Sequence, residues 1–321
     1  MNFPLASRLD QIAPFHVMEL IKMAAGKTGY TAATGLPELR RAIAQHYQDT
    51  YGLTVDPARI VVTAGASAAL LLACAALVEP GSEVLMPDPC YPCNRHFVAA
   101  FEGVPRLVDS GPAERFQLTP AMVEQHWNAA TSGVLLASPS NPTGTSIEAD
   151  ALAAIVGLVR SRGGFTVVDE IYQGLTYDAA PFTALALGQD VVVINSFSKY
   201  FNMTGWRLGW LVVPPAMVPA VEKLAQNMFI CASSVAQYAA LACFTPQAMA
   251  IFESRKAEFH RRRDFIVPAL RALGFLVPVT PDGAFYVYAD CSALAAVSSA
   301  RRDSSSFCCG KKPCVTSSRV R

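Results

Sequence analysis

Short β-branched apolar runs recur along the middle of this chain, each followed by a stretch with helical periodicity. No other feature limits the possible folds as strongly. RIVVTAG (59–65) leads into ASAALLLACAALV (66–78), and EVLMP (83–87) leads into a helical pattern around 94–101. VPRLVD, GVLLASP, FTVVDE, VVVINSFS and RLGWLVV follow, with a further helical stretch at 149–160. Runs that are apolar on both faces and separated by helices need cover on both sides, which predicts an α/β fold: a three-layer αβα domain around a mostly parallel sheet. A long helical pattern starts near Pro246 and reaches about Leu273; beyond it FLVPV and GAFYVYAD read as strands of a second, smaller α/β unit. The expected division is a large domain over 24–258, a small and incomplete one from 1–23 and 259–296, and a remainder, 297–321.

That remainder changes character. SSARRDSSSFCCGKKPCVTSSRVR has serines, basic residues and clustered cysteines, without hydrophobic periodicity. It predicts a disordered tail with nothing to pack onto the preceding strands. A natural flexible tail and the product of a shifted reading frame both fit, and the abruptness of the change favours the second.

Composition narrows the class of partner. With a formal net charge of +1, the 321 residues offer no electrostatic reason to expect nucleic acid or an anionic membrane. No basic patch is interleaved with aromatics apart from the short RRR of 261–263, inside the helical pattern, which reads as a solvated helix face. The longest apolar run, 66–78, is shorter than the roughly 20 residues a bilayer span requires. The first ten residues lack the apolar stretch of a secretory signal. Nine cysteines include one CxxC, Cys90 and Cys93, with no second pair to complete a metal site. Scattered thiols suit a reducing cytoplasm.

Lys199 is the residue that demands a use. It follows the apolar run VVVINSFS, where an ammonium is costly unless exposed, paired or chemically employed. Four stretches, that of Lys199 among them, end a run and begin a loop, the place where open α/β sheets bind ligands. TAGAS (63–67) is a strand–turn–helix junction, readable as a phosphate site or as a tight turn of small residues. SPSNPTG (138–144) puts Asn141 at a strand mouth, though an Asn-Pro turn accounts for it equally. VVDEIY (167–172) ends a buried run on Asp169, either a carboxylate awaiting a cationic partner or an exposed strand-end acid. Ser196, Lys199 and Arg207 close the set.

Taken in order, AGAS, DPCYPCN, SPSNPTG, VVDEIY, SFSK and Arg207 resemble the class I aminotransferases of the aspartate aminotransferase superfamily, fold type I enzymes dependent on pyridoxal 5'-phosphate. The resemblance runs from about Gly29 to Asp290. It implies transfer of an amino group from an L-amino acid to a 2-oxo acid. Lys199 then resembles the lysine that forms the internal aldimine, and Asp169 the carboxylate facing the pyridine nitrogen. Asn141 and Tyr172 match the residues that hydrogen-bond the phenolic oxygen, and Tyr91 the aromatic residue stacked on the ring. Ser196 and Arg207 match phosphate ligands, with the backbone of Gly65, Ala66 and Ser67 capping the same group. Tyr30, in GYTAATGLPELR, resembles the tyrosine that reaches the phosphate of a neighbouring subunit, which implies a homodimer; a surface turn residue is the plainer reading. Trp206 and Trp210 read as core or interface.

Two departures stand against the matches. The loop that helps enclose substrate in the family is not seen before YTAATGLPELR, and the small-domain part carrying the arginine for the substrate carboxylate is not seen after GAFYVYAD. Arg301, Arg302, Arg319 and Arg321 lie in no matching context. A β-elimination at a sulfur amino acid, or a cofactor-binding remnant with impaired turnover, therefore stand beside transamination.

Overall fold

The computed structural model describes residues 29–292, residue 294 and the backbone of 314–317. Seven strands form one sheet: β1 (Ile60–Thr63), β2 (Glu83–Asp88), β3 (Val104–Asp109), β4 (Thr131–Ala137), β5 (Phe165–Asp169), β6 (Val191–Ser196) and β7 (Gly209–Val212). Their spatial order is β1-β7-β6-β5-β4-β2-β3. β7 runs antiparallel to both β1 and β6, and the other pairs are parallel.

Alternation along each strand splits the apolar residues between two cores. Val62, Leu85, Val134, Leu136, Val168, Val193 and Trp210 feed one, and Val61, Val84, Met86, Leu135, Val167, Val192 and Ile194 the other. Both faces are therefore covered, as continuous apolar runs require. Helices α1 (Pro37–Tyr51) and α5 (Ala149–Ser161) pack residues on the first core, while α2 (Ala66–Leu77) and α3 (Asn94–Ala99) pack on the second. The remaining helices are α4 (Pro120–His126), α6 (Val218–Met228), α7 (Ser234–Ala240) and α8 (Pro246–Ala272). No single helix among the described residues is long and apolar enough to cross a membrane.

α8 begins with Thr245 accepting a hydrogen bond from the Ala248 N–H, with Pro246 in its first turn. This is the start that Thr-Pro chemistry favours. The helix passes the expected 258/259 boundary without a break. Beyond it Val267, Val277, Val287 and Ala289 form a separate small core. The last of these lie on β8 (Tyr286–Ala289), which pairs antiparallel with β9 (Cys314–Ser317).

Three expectations need correction. FLVPV is not a strand: it makes a single antiparallel bridge, Leu276 to Asp290, because Pro278 removes the N–H that a ladder would use. Residues 314–317, expected to pack on nothing, supply β9, whose Val315 and Thr316 are β-branched residues suited to a strand. The rest of 297–321 lies outside the described residues, as do 1–28. The RRR run is not uniformly solvated either. Arg261 and Arg262 pair with Glu258 on the helix surface, but the Arg263 side chain is only 11% exposed and holds Asp178 and Asp264.

Candidate active site

A cleft of about 150 Å³ opens where β4, β5 and β6 end and α2 begins. Ala66, Ser67, Tyr91, Asn141, Asp169, Tyr172, Lys199 and Arg207 all line it. Residues separated by as much as 141 positions thus converge on one end of the sheet, as parallel topology directs.

Lys199 arrives there because its neighbours are pulled the other way. Phe197 is fully buried, 5.0 Å from Trp210 and 5.1 Å from Phe201 between ring centroids. Tyr200 is buried as well and donates to Glu253. With those aromatic side chains seated in the core, Ser198 and Lys199 between them line the cleft. The Lys199 Nζ lies 5.5 Å from the ring centroids of both Tyr172 and Phe285. Trp210 is buried and donates to the Tyr47 hydroxyl, which makes it core; Trp206 is half exposed.

Asp169 ends β5 at the buried side of the cleft, 6% exposed. Burial raises its carboxyl to about 6, against the opposing pull of the Ile171 N–H, 3.1 Å away, and the Lys199 charge. Its neighbour Glu170 points away from the cleft, accepting from Thr183 Oγ1 at 2.8 Å and from the Ala184 N–H at 2.6 Å. Burial lifts that carboxyl further, to about 8. Tyr172 stands with its hydroxyl 2.6 Å from that of Tyr286. Burial, and then Tyr286, raises its phenol above the ordinary range. The Tyr91 phenol is pushed up to about 12, first by a hydrogen bond with Cys93 and then by burial.

The opposite end of the cleft is a cup of donors. α2 starts at Gly65, φ +83°, with no side chain capping its first turn. Its leading N–H groups are therefore open to a ligand. A Cβ on Gly65 would meet the Arg207 guanidinium at 2.7 Å, and one on Gly209 would meet the Gly65 carbonyl carbon at 2.8 Å. The two glycines let β7, α2 and Arg207 close on one another. Arg207 itself has φ +53° and donates to the Thr204 carbonyl at 3.1 Å.

Three expected residues do not line the cleft: Gly65, which is the N-cap of α2, Ser196 and Tyr30. Ser196 is buried within the turn, its hydroxyl donating to the Leu208 carbonyl at 3.0 Å and lying 2.9 Å from Ser198 Oγ. Ser198 lines the cleft in its place, two residues on. Tyr30 is 82% exposed and apart from this cleft. Residues not singled out from the sequence also line it: Pro139, Ile171, Ser198 and Thr204. Phe285 and Tyr286 reach its aromatic wall from the smaller unit. The aromatic pairing in GAFYVY was their signal, visible but without a partner until the fold placed it.

A family model described as aminotransferase class I and II matches residues 10–310. The chain belongs to this family. Among relatives, a valine–pyruvate aminotransferase of Mycobacterium tuberculosis is 42% identical over 282 residues, which span 87% of this chain and 71% of that protein. An aspartate aminotransferase of Geobacillus stearothermophilus is 33% identical over 303 residues, 92% and 77% of the two chains. The crystal structure of an aminotransferase from Mycobacterium tuberculosis superposes with a TM-score of 0.80 at 37% identity, covering 93% of this chain and 87% of that one. The Thermus thermophilus aspartate aminotransferase with maleate gives 0.81 at 33% identity, covering 87% and 74%. This aminotransferase has the fold type I architecture, and its family uses pyridoxal 5'-phosphate to exchange an amino group between amino acids and 2-oxo acids. The donor set fits that cofactor. An uncapped helix start with a guanidinium suits a phosphate, a buried carboxylate suits a protonated ring nitrogen, and an amine shares the cleft with both.

Proposed function

We propose that this aminotransferase uses Lys199 as its cofactor-anchoring amine and proton carrier, with Asp169 as the partner of the pyridine nitrogen. The observation that carries the reading is the placement of Lys199, Asp169, Tyr172, Asn141, Tyr91 and Arg207 around one cleft. When bound, pyridoxal phosphate supplies an electron sink that delocalises charge developing at the substrate α-carbon. The chain's own residues do the rest. Arg207 and the N–H groups of Ala66 and Ser67 hold the phosphate, with Ser198 and Thr204 beside them and Ser196 bracing the turn from behind. A guanidinium fork is suited to a dianion in a way an ammonium is not. Tyr91 flanks the ring face. Asn141 and Tyr172 would donate to the phenolic oxygen, and Asp169 would hold positive charge on the ring nitrogen. With the cofactor bound, the Lys199 amine would be the group that anchors it and that holds and moves a proton at the substrate α-carbon.

The assembled enzyme is a homodimer in which Tyr30 serves the neighbouring site; its 82% exposure outside the cleft supports a role beyond its own subunit. Free thiols at Cys74, Cys90, Cys93, Cys231, Cys243 and Cys291 support residence in the cytoplasm. Valine with pyruvate is the first substrate pair to assay, from the M. tuberculosis relative's name. The direct test of the reading is covalent. The chain loaded with pyridoxal phosphate is reduced with borohydride and digested, and the label is expected on the peptide carrying Lys199. A label elsewhere, or an unchanged yield in Lys199→Ala, overturns the assignment.

A further inference from the structure

Tyr286 belongs to the smaller unit, on β8, yet its hydroxyl lies 2.6 Å from that of Tyr172 in the cleft. Their rings meet edge-on, with centroids 5.5 Å apart at 77°, and Phe285 meets Tyr172 similarly at 5.4 Å and 82°. The start of β8 is tied to two loops that line the cleft. Asp282 and Gly283 donate their N–H groups to the Gly144 carbonyl at 3.0 and 2.9 Å, and the Ala284 N–H donates to the Leu175 carbonyl at 3.0 Å. Arg115 and the Ser146 N–H hold the Asp282 carboxylate at 2.6 and 2.8 Å. Tyr286 is therefore delivered to the Tyr172 hydroxyl by a turn that also fixes the Asn141 loop.

We propose that Tyr286 is a positioning residue for the cofactor's phenolic oxygen, acting through Tyr172. A phenol has one hydrogen. If Tyr172 donates that hydrogen to a ligand oxygen, the Tyr172–Tyr286 bond must run from the Tyr286 O–H to the Tyr172 oxygen. Tyr286 then orients the Tyr172 hydrogen into the cleft, and accepting a bond makes Tyr172 a stronger donor. The groups facing Tyr172 are Tyr286, Asp169 and Tyr91, with the Lys199 amine over its ring. The inference rests on the role given above to Tyr172 and extends it to a second hydroxyl.

The test is the pH midpoint of the bound cofactor's visible absorption band in wild type, Tyr172→Phe and Tyr286→Phe, each loaded with pyridoxal phosphate. Stabilising an ionised phenolic oxygen lowers that midpoint, so losing a donor raises it. Tyr286→Phe is expected to raise it by about half a pH unit and Tyr172→Phe by more. Tyr286→Phe keeps both ring contacts, and a thermal melt of each variant verifies the fold. An unmoved midpoint in Tyr286→Phe beside a raised one in Tyr172→Phe overturns the role of Tyr286 and leaves that of Tyr172 standing; a lowered melting temperature with that result marks Tyr286 as a structural tie only. An unmoved midpoint in Tyr172→Phe, or no cofactor absorbance in wild type, overturns the reading of Tyr172 and the proposal with it.

Discussion

Two adjacent carboxylates, Asp169 and Glu170, end β5 in opposite surroundings and should respond differently to substitution. On the role proposed for Asp169, Asp169→Asn removes the charge that partners the ring nitrogen, and turnover should fall roughly 100- to 1,000-fold while cofactor still binds, as read by steady-state assay and absorbance. Wild-type-like turnover would take Asp169 out of its role. Glu170 has no part in the cleft and carries a stability signature instead. Its folded-state value, about 8, lies above the ordinary 4.5, so the folded chain binds its proton more tightly than the unfolded chain. That contribution is present below about 4.5 and is lost as pH rises towards 8. Asp169 adds a loss of the same sign between 3.8 and about 6 in the cofactor-free chain. Melting temperature without cofactor should therefore fall from pH 5 to pH 9, and Glu170→Gln should flatten the slope. A wild-type curve without that fall would disprove the account.

The junction of β1 and α2 is the element most exposed to a single methyl group. Gly65 combines φ +83° with a guanidinium where its Cβ would stand, so an alanine there meets both a disfavoured backbone and Arg207. Gly65→Ala should cost about 1–3 kcal/mol of stability and weaken pyridoxal-phosphate affinity at least tenfold. Chemical denaturation and an absorbance titration measure the two effects separately. Unchanged affinity would mean that the helix start does not hold the phosphate. The TAGAS stretch offered a tight turn and a phosphate cup as alternatives; the structure has the tight turn, and its uncapped helix start beside Arg207 supports the phosphate role proposed for it.

The proposed homodimer gives a use to Tyr30, a side chain that does not line its own cleft. Sedimentation of the loaded chain should give a dimer, and Tyr30→Phe should lower cofactor affinity several-fold without altering the melting temperature of the cofactor-free chain. A monomer with full activity would end the shared-site reading. The smaller unit leaves apolar surface open on and after α8: Phe265 is 74% exposed, Leu273 68% and Leu276 59%. Phe265→Gln should leave stability within about 0.5 kcal/mol of wild type while reducing binding of a hydrophobic dye. A large loss of stability would show that Phe265 is covered in solution.

Strand runs apolar on both faces and the helical periods between them were sufficient to read the mostly parallel sheet and its two covered faces, and the family resemblance of the short polar stretches at the strand ends pointed to most of the cleft residues. Those features are local, and parallel topology sends every such strand end to the same side. Which serine of SFSK faces the cleft was not legible, because the turn's internal hydrogen bonds decide it. Pro278 was visible in FLVPV, but whether a neighbour would tolerate its missing N–H was not. Arg263 looked like the arginines beside it until the fold brought Asp178 to it, and Tyr286 was one aromatic residue in a strand until Tyr172 came within 2.6 Å. A sequence carries periodicity and residue type, whereas contacts between residues 85 or 114 positions apart exist only once the chain has closed on itself.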